Sequence, residues 1–184
     1  MNYRRYEDWV RVSFRWIRDF DRDQGLPHHI QMLGIEDAEL REIGKQNLFD
    51  NQGRPLMDEF GILLLERWQI RAHLWVLGTY ELVRMLSERV RMNHSLTTEK
   101  AIEKIHETKR QFERVRIPLA KLEPSRRNAL TDFPVAYAGI GCEGLAWKVA
   151  DGVIISQRQL SDLLWEMFTY ILPSQHNKSL ESMR

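Results

Sequence analysis

The chain has 184 residues and a mass of 21.9 kDa, with 43% hydrophobic and 29% charged side chains, which suits one globular domain and excludes disordered and fibrous classes. Its 27 basic and 26 acidic side chains leave a formal charge of +1, so no global field draws it onto a polyanion or an anionic membrane. The single cysteine, Cys142, excludes an internal disulfide framework and a zinc site built from several thiolates. The start, MNYRRYEDWV, is charged and lacks the apolar stretch of a signal peptide, and no uncharged run approaches the roughly 20 residues needed to cross a bilayer. A cytoplasmic location is therefore expected.

From Tyr3 to Phe20, apolar Tyr3, Tyr6, Val10, Phe14 and Ile17 recur at three and four, which predicts an amphipathic helix. Gln24 to Gly34 carries Gly25, Pro27 and Gly34 and is expected to be a loop, followed by a short acidic helix over Ile35 to Lys45. Asn47 to Pro55 supplies further breakers. Leu56 to about Met92 then runs without proline and predicts one long central helix. A 100° wheel puts Phe60, Leu64, Trp68, Leu74, Trp75, Leu82, Met85 and Leu86 on its apolar face, opposite Glu66, Gln69, His73, Arg84 and Ser87. Arg71 falls within the apolar face and Arg67 at its edge. A buried arginine demands an anionic partner, because an unpaired charge there costs several kcal/mol.

A further helix is predicted from about Thr98 to Arg116, its seam formed by Ala101, Ile105, Thr108, Phe112 and Val115. Pro118 and Pro124 bracket a short segment. Beyond Phe133 charge falls away, and Leu145–Val149 with Val153–Ile155 form an expected hairpin turning at Asp151-Gly152. Ser156 with Gln159 resembles a capping box opening a last helix that Pro173 ends. The expected fold is thus mainly α: a single-domain helical bundle (1–173) around one long central helix, with a small β-hairpin at about 145–155 before the last helix, and a mobile polar tail over 174–184.

Several residue patterns touch on chemistry. Gly139, Gly141 and Gly144 spell G-x-G-x-x-G after the strand-like PVAYA, but Asp151-Gly152 arrives seven residues later, leaving no room for the helix of a dinucleotide site. These glycines predict a turn or close packing, and no cofactor is expected. An arginine with a histidine a few residues later can cleave RNA without metal, the cation holding phosphate and the imidazole moving the proton. Arg22 with His28 or His29, Arg67 with His73, and Arg89 with His94 have such spacing, yet about two pairs arise from composition alone. Six residues along a helix also turn Arg67 and His73 onto different faces. Size and helicity alone give a faint similarity to small helical ribonucleases. Glu103 and His106 form one E-x-x-H where a di-iron bundle needs two, and the His28-His29 pair has no third ligand in view, so no metal is expected. Cys142 has small neighbours and reads as a structural thiol.

The charge pattern is more informative. Lys109, Arg110, Arg114, Arg116, Lys121, Arg126 and Arg127 outweigh Glu113 and Glu123, while Gly34 to Glu66 holds eight acids against three bases. Opposed segments of this kind face one another within a monomer or across a dimer. The narrow seam and the six tryptophans point to a homodimer. The functional expectation is a non-enzymatic helical protein acting through protein contacts, and the alternative is an RNA- or DNA-binding protein, extending to a metal-independent ribonuclease, that uses the basic strip and an Arg/His pair.

Overall fold

A computed structural model describes residues 3–17, 21, 23–43, 52, 54, 59–141 and 143–172. The fold is mainly α, with five helices and a three-stranded antiparallel sheet before the last one: α1 (Tyr3–Arg15), α2 (Leu26–Glu42), α3 (Glu59–Met92), α4 (Glu99–Lys121), β1 (Asp132–Gly141), β2 (Gly144–Ala150), β3 (Val153–Ser156) and α5 (Gln157–Ile171). Short 3-10 turns at His94–Leu96 and Arg126–Asn128 join α3 to α4 and α4 to β1.

The breakers between Gln24 and Gly34 do not make a loop. Leu26 to Glu42 is one helix, because Pro27 sits in its first turn, where its missing N–H costs nothing. Gly34 lies inside it for a steric reason: a Cβ there would stand 2.6 Å from Cβ and Cγ of Trp9, so the glycine lets α1 and α2 approach. Pro118 is likewise inside α4 rather than at a boundary, buried three residues before the helix ends at Lys121, where Leu122 turns into the left-handed conformation. There a proline removes only one late backbone bond.

The expected hairpin is present as β2–β3, turning at Asp151-Gly152 with Gly152 at φ 71°. β1 is the addition: it pairs antiparallel with β2 from Tyr137↔Lys148 to Gly141↔Gly144, after a register break that begins at Asp132. Sequence reading set PVAYA apart as strand-like but did not join it to the sheet. Ser156 and Gln159 close the capping box of α5.

One continuous core joins all five helices to the sheet. Trp9, Trp75 and Trp147 are essentially sealed within it, Trp9 edge-on to Phe168 at 5.0 Å and Trp75 against Phe112 at 5.6 Å. Helix α4 packs on α3 and α5 and reaches β1, so Ala101, Ile105, Thr108, Phe112 and Val115 are all fully buried inside the monomer. The seam and the tryptophans are therefore occupied by the chain itself and supply no argument for a dimer. Among the described residues no helix is long and apolar enough to cross a membrane.

Candidate functional site

Leu63, Ile70 and Leu74 of α3 are spaced at seven and four, which at 3.6 residues per turn places them within an arc of about 40°. They form a ridge of aliphatic side chains 65%, 60% and 63% exposed, which corrects the assignment of Leu74 to the inner face. The wheel erred because α3 is covered from several sides along its second half, so the buried arc is not constant along the helix. Met32 of α2 stands beside the ridge, 55% exposed. Between the two helices lies an open cavity of about 260 Å³, walled by Met32 and Leu74 and based on buried Leu33 and Trp75. The Trp75 indole N–H donates to the Leu33 carbonyl at 3.2 Å and fixes that base.

The rim is ionic. Arg71 donates from Nε and Nη2 to the two carboxylate oxygens of Glu36, each at 2.6 Å, and from Nη2 also to Glu39, while its guanidinium lies 5.0 Å above Trp68. These bonds, that to Glu36 foremost, hold Arg71 firmly protonated. The arginine on the apolar face thus has its anionic partners, drawn from the acidic segment. Two acids share one arginine, which leaves α2 with a negative excess. Arg67, exposed on α3, makes no ion pair among the described residues.

A second ionic cluster is sealed. Arg5 and Asp37 are 6% and 1% exposed, their side chains 3.6 Å apart. Arg5 donates to the Ser161 carbonyl at 2.6 Å and pairs with Asp162 at 3.1 Å, while Asp37 accepts from the Trp9 indole and the Gln157 amide, both at 3.2 Å. Burial pushes the Asp37 carboxyl up and pulls the Arg5 guanidinium down. The cluster ties α1, α2 and α5 together, with Arg5 and Asp37 closed to solvent and Asp162 at its open edge. No sequence signal links residues so far apart in the chain.

The nominated Arg/His residues are not brought together. His73 sets Nδ1 2.7 Å from the Gln69 carbonyl and its ring edge-on to Trp147, whereas Arg67 points to solvent. His28 is exposed in the first turn of α2, not in a loop, and Arg22 lies outside the described residues. Arg89 binds the Trp16 carbonyl and Asp23. His106 Nδ1 lies 3.1 Å from the Ser87 hydroxyl, and no cluster of His, Cys, Asp and Glu among the described residues could hold a metal ion. Gly139 and Gly141 sit in β1 and Gly144 opens β2, so the glycine motif is a strand-turn-strand with no helix after it. Cys142 lies outside the described residues.

The basic strip divides. Arg114 makes two bonds to Asp132, at 2.7 and 2.8 Å, whose side chain is fully buried. Arg116 lies 3.5 Å from Glu81 and over the Tyr80 ring, and Lys121 is 3.8 Å from Glu123. Lys109, Arg110, Arg126 and Arg127 make no ion pair among the described residues, and the last three are exposed. Among the described residues, the acids shown paired with the strip come from α3, the β1 entry and its own end. Met32, Leu63 and Ile70 carry no assignment from the sequence and the wheel places Leu74 on the inner face, although the seven-and-four spacing of the α3 ridge is visible in the sequence.

No protein-family model, no curated protein and no solved structure matches the chain.

Proposed function

We propose that the chain is a cytoplasmic, non-enzymatic helical protein that acts through protein contacts made at the α2/α3 groove, with a second copy of itself as the partner. The observation that carries this reading is the exposed aliphatic ridge of Leu63, Ile70 and Leu74, whose Leu74 end faces Met32 across a cavity of about 260 Å³. Large aliphatic side chains held exposed beside charged ones are the anatomy of an interface rather than of a solvated helix face. The charges of the rim suit a twofold contact: Glu36 and Glu39 share Arg71, while Arg67, one turn earlier on α3, makes no ion pair among the described residues, so a twofold apposition sets each against its opposite.

Sedimentation and light scattering test it. The wild-type chain is expected at twice its 21.9 kDa mass, and Leu74→Glu at the single-chain mass with an unchanged helical spectrum. A wild-type chain that stays monomeric at high concentration overturns the homodimer. A dimer that survives Leu74→Glu removes the groove from the interface.

A further inference from the structure

We propose that the outer face of the sheet, with the exposed arginines beside and before it, binds single-stranded nucleic acid, a site distinct from the α2/α3 groove. Side chains alternate across a strand, so Trp147 and Ile155, 1% and 8% exposed, fix which face is inward. Their neighbours Tyr137, Lys148 and Ile154 are cross-strand partners in one row on the other face. Tyr137 and Ile154 are 65% and 60% exposed there. Phe133 joins the row: its ring meets that of Tyr137 at 5.7 Å and 80°, and Lys148 Nζ lies 5.3 Å from it. An exposed, edge-braced tyrosine on a sheet offers a flat face on which an unpaired base can stack.

The cations are arranged by the same entry to β1. Asp132, the residue before Phe133, is held by Arg114 of α4, which brings the strand start to that helix. Arg110 is one turn earlier on α4 and exposed. Arg126 and Arg127 ride on two successive tight turns, closed by Asn128 N–H to the Ser125 carbonyl at 2.9 Å and Thr131 N–H to the Asn128 carbonyl at 3.0 Å. Each turn keeps its ends within about 7 Å, so the Arg127 Cα lies within about 18 Å of that of Phe133. Three of the nearby acids are engaged, Asp132 by Arg114, Asp151 by Lys148 and Glu123 by Lys121, while Glu113 of α4 makes no ion pair among the described residues. Arg110, Arg126 and Arg127 are left to meet phosphates, while Arg114 and Arg116 of the original strip are withdrawn. A duplex hides its base faces, so the aromatic row selects single strands.

Fluorescence anisotropy with a labelled mixed-sequence RNA 12-mer, single-stranded or annealed to its complement, tests the site. Single-strand binding is expected at about 50 mM salt, with a log–log salt slope of about −2 for three phosphate contacts. Tyr137→Ala should weaken binding about tenfold or more. Arg126→Ala with Arg127→Ala should weaken it and flatten the slope by about 1.4. These positions are exposed, so unchanged thermal midpoints will show that the variants fold. Absence of binding at low salt, equal or tighter binding of the duplex, or binding indifferent to Tyr137→Ala overturns the proposal. None of these outcomes bears on the α2/α3 groove, which self-association measures separately.

Discussion

The two halves of α3 are one continuous helix with opposite fates. From Trp75 to Val90, Trp75, Val76, Leu82, Val83, Leu86 and Val90 are buried to 3% exposure or less, because α4 and the sheet cover that half. From Ile62 to Leu74, four large aliphatic residues stand at least 40% exposed on the same helix. Hydrophobicity is similar in the two halves, so it cannot decide which side chains are core. What differs is the number of elements packed around each half. An apolar ridge left open on a helix whose other half is closed is surface that the fold has no use for internally, and this gives the groove its meaning.

The contrast can be broken by paired truncations. Leu86→Ala should cost about 2–5 kcal/mol in urea unfolding, since it empties a sealed site. Leu63→Ala, on the exposed ridge, should change monomer stability by less than about 0.5 kcal/mol. Equal costs would mean that the ridge is not free surface. The charges give a finer version. Arg114→Ala strands a carboxylate with no solvent access, for which about 3–5 kcal/mol is expected. Arg71→Ala exposes Glu36 and Glu39, whose side chains are already 27% and 49% exposed, so water screens the loss to about 1 kcal/mol or less. A larger loss at Arg71 than at Arg114 would reverse the assignment of the two clusters.

Much of the architecture was legible from spacing. The α4 seam was, because Ala101 to Val115 follow one stripe against charge on every other side, and so was the hairpin, because Asp151-Gly152 has few other uses. The extent of α2 was not, since Gly34 is read as a breaker unless Trp9 is known to press against it. The ridge was missed for a related reason: a helical wheel shows that Leu63, Ile70 and Leu74 share a direction but not whether anything lies in that direction. The basic strip was visible as a charge count, yet its division depended on Asp132 and Glu81, residues whose proximity only tertiary packing creates. The buried Arg5–Asp37 pair left no trace at all, because neither residue is unusual locally.

The smallest expected effect lies on the closed half of α3 and concerns pH. His106 of α4 faces Ser87 of α3, its Nδ1 3.1 Å from the hydroxyl. Burial, and after it the charges of Lys109, Arg110 and His94, hold its pKa below the ordinary histidine value. The unfolded chain therefore takes up a proton near pH 6.5, about the free-histidine value, while the native ring still refuses it. The native state binds fewer protons in that window, so stability rises with pH across it and is lost as pH falls from about 6.5 toward the native pKa. Urea midpoints taken between about pH 8 and pH 5.5 should decline for the wild type, and His106→Gln, whose amide can still hydrogen-bond Ser87 but cannot titrate, should flatten that decline. If the variant keeps the wild-type slope, the pH sensitivity belongs to other histidines and the Ser87–His106 contact is only packing.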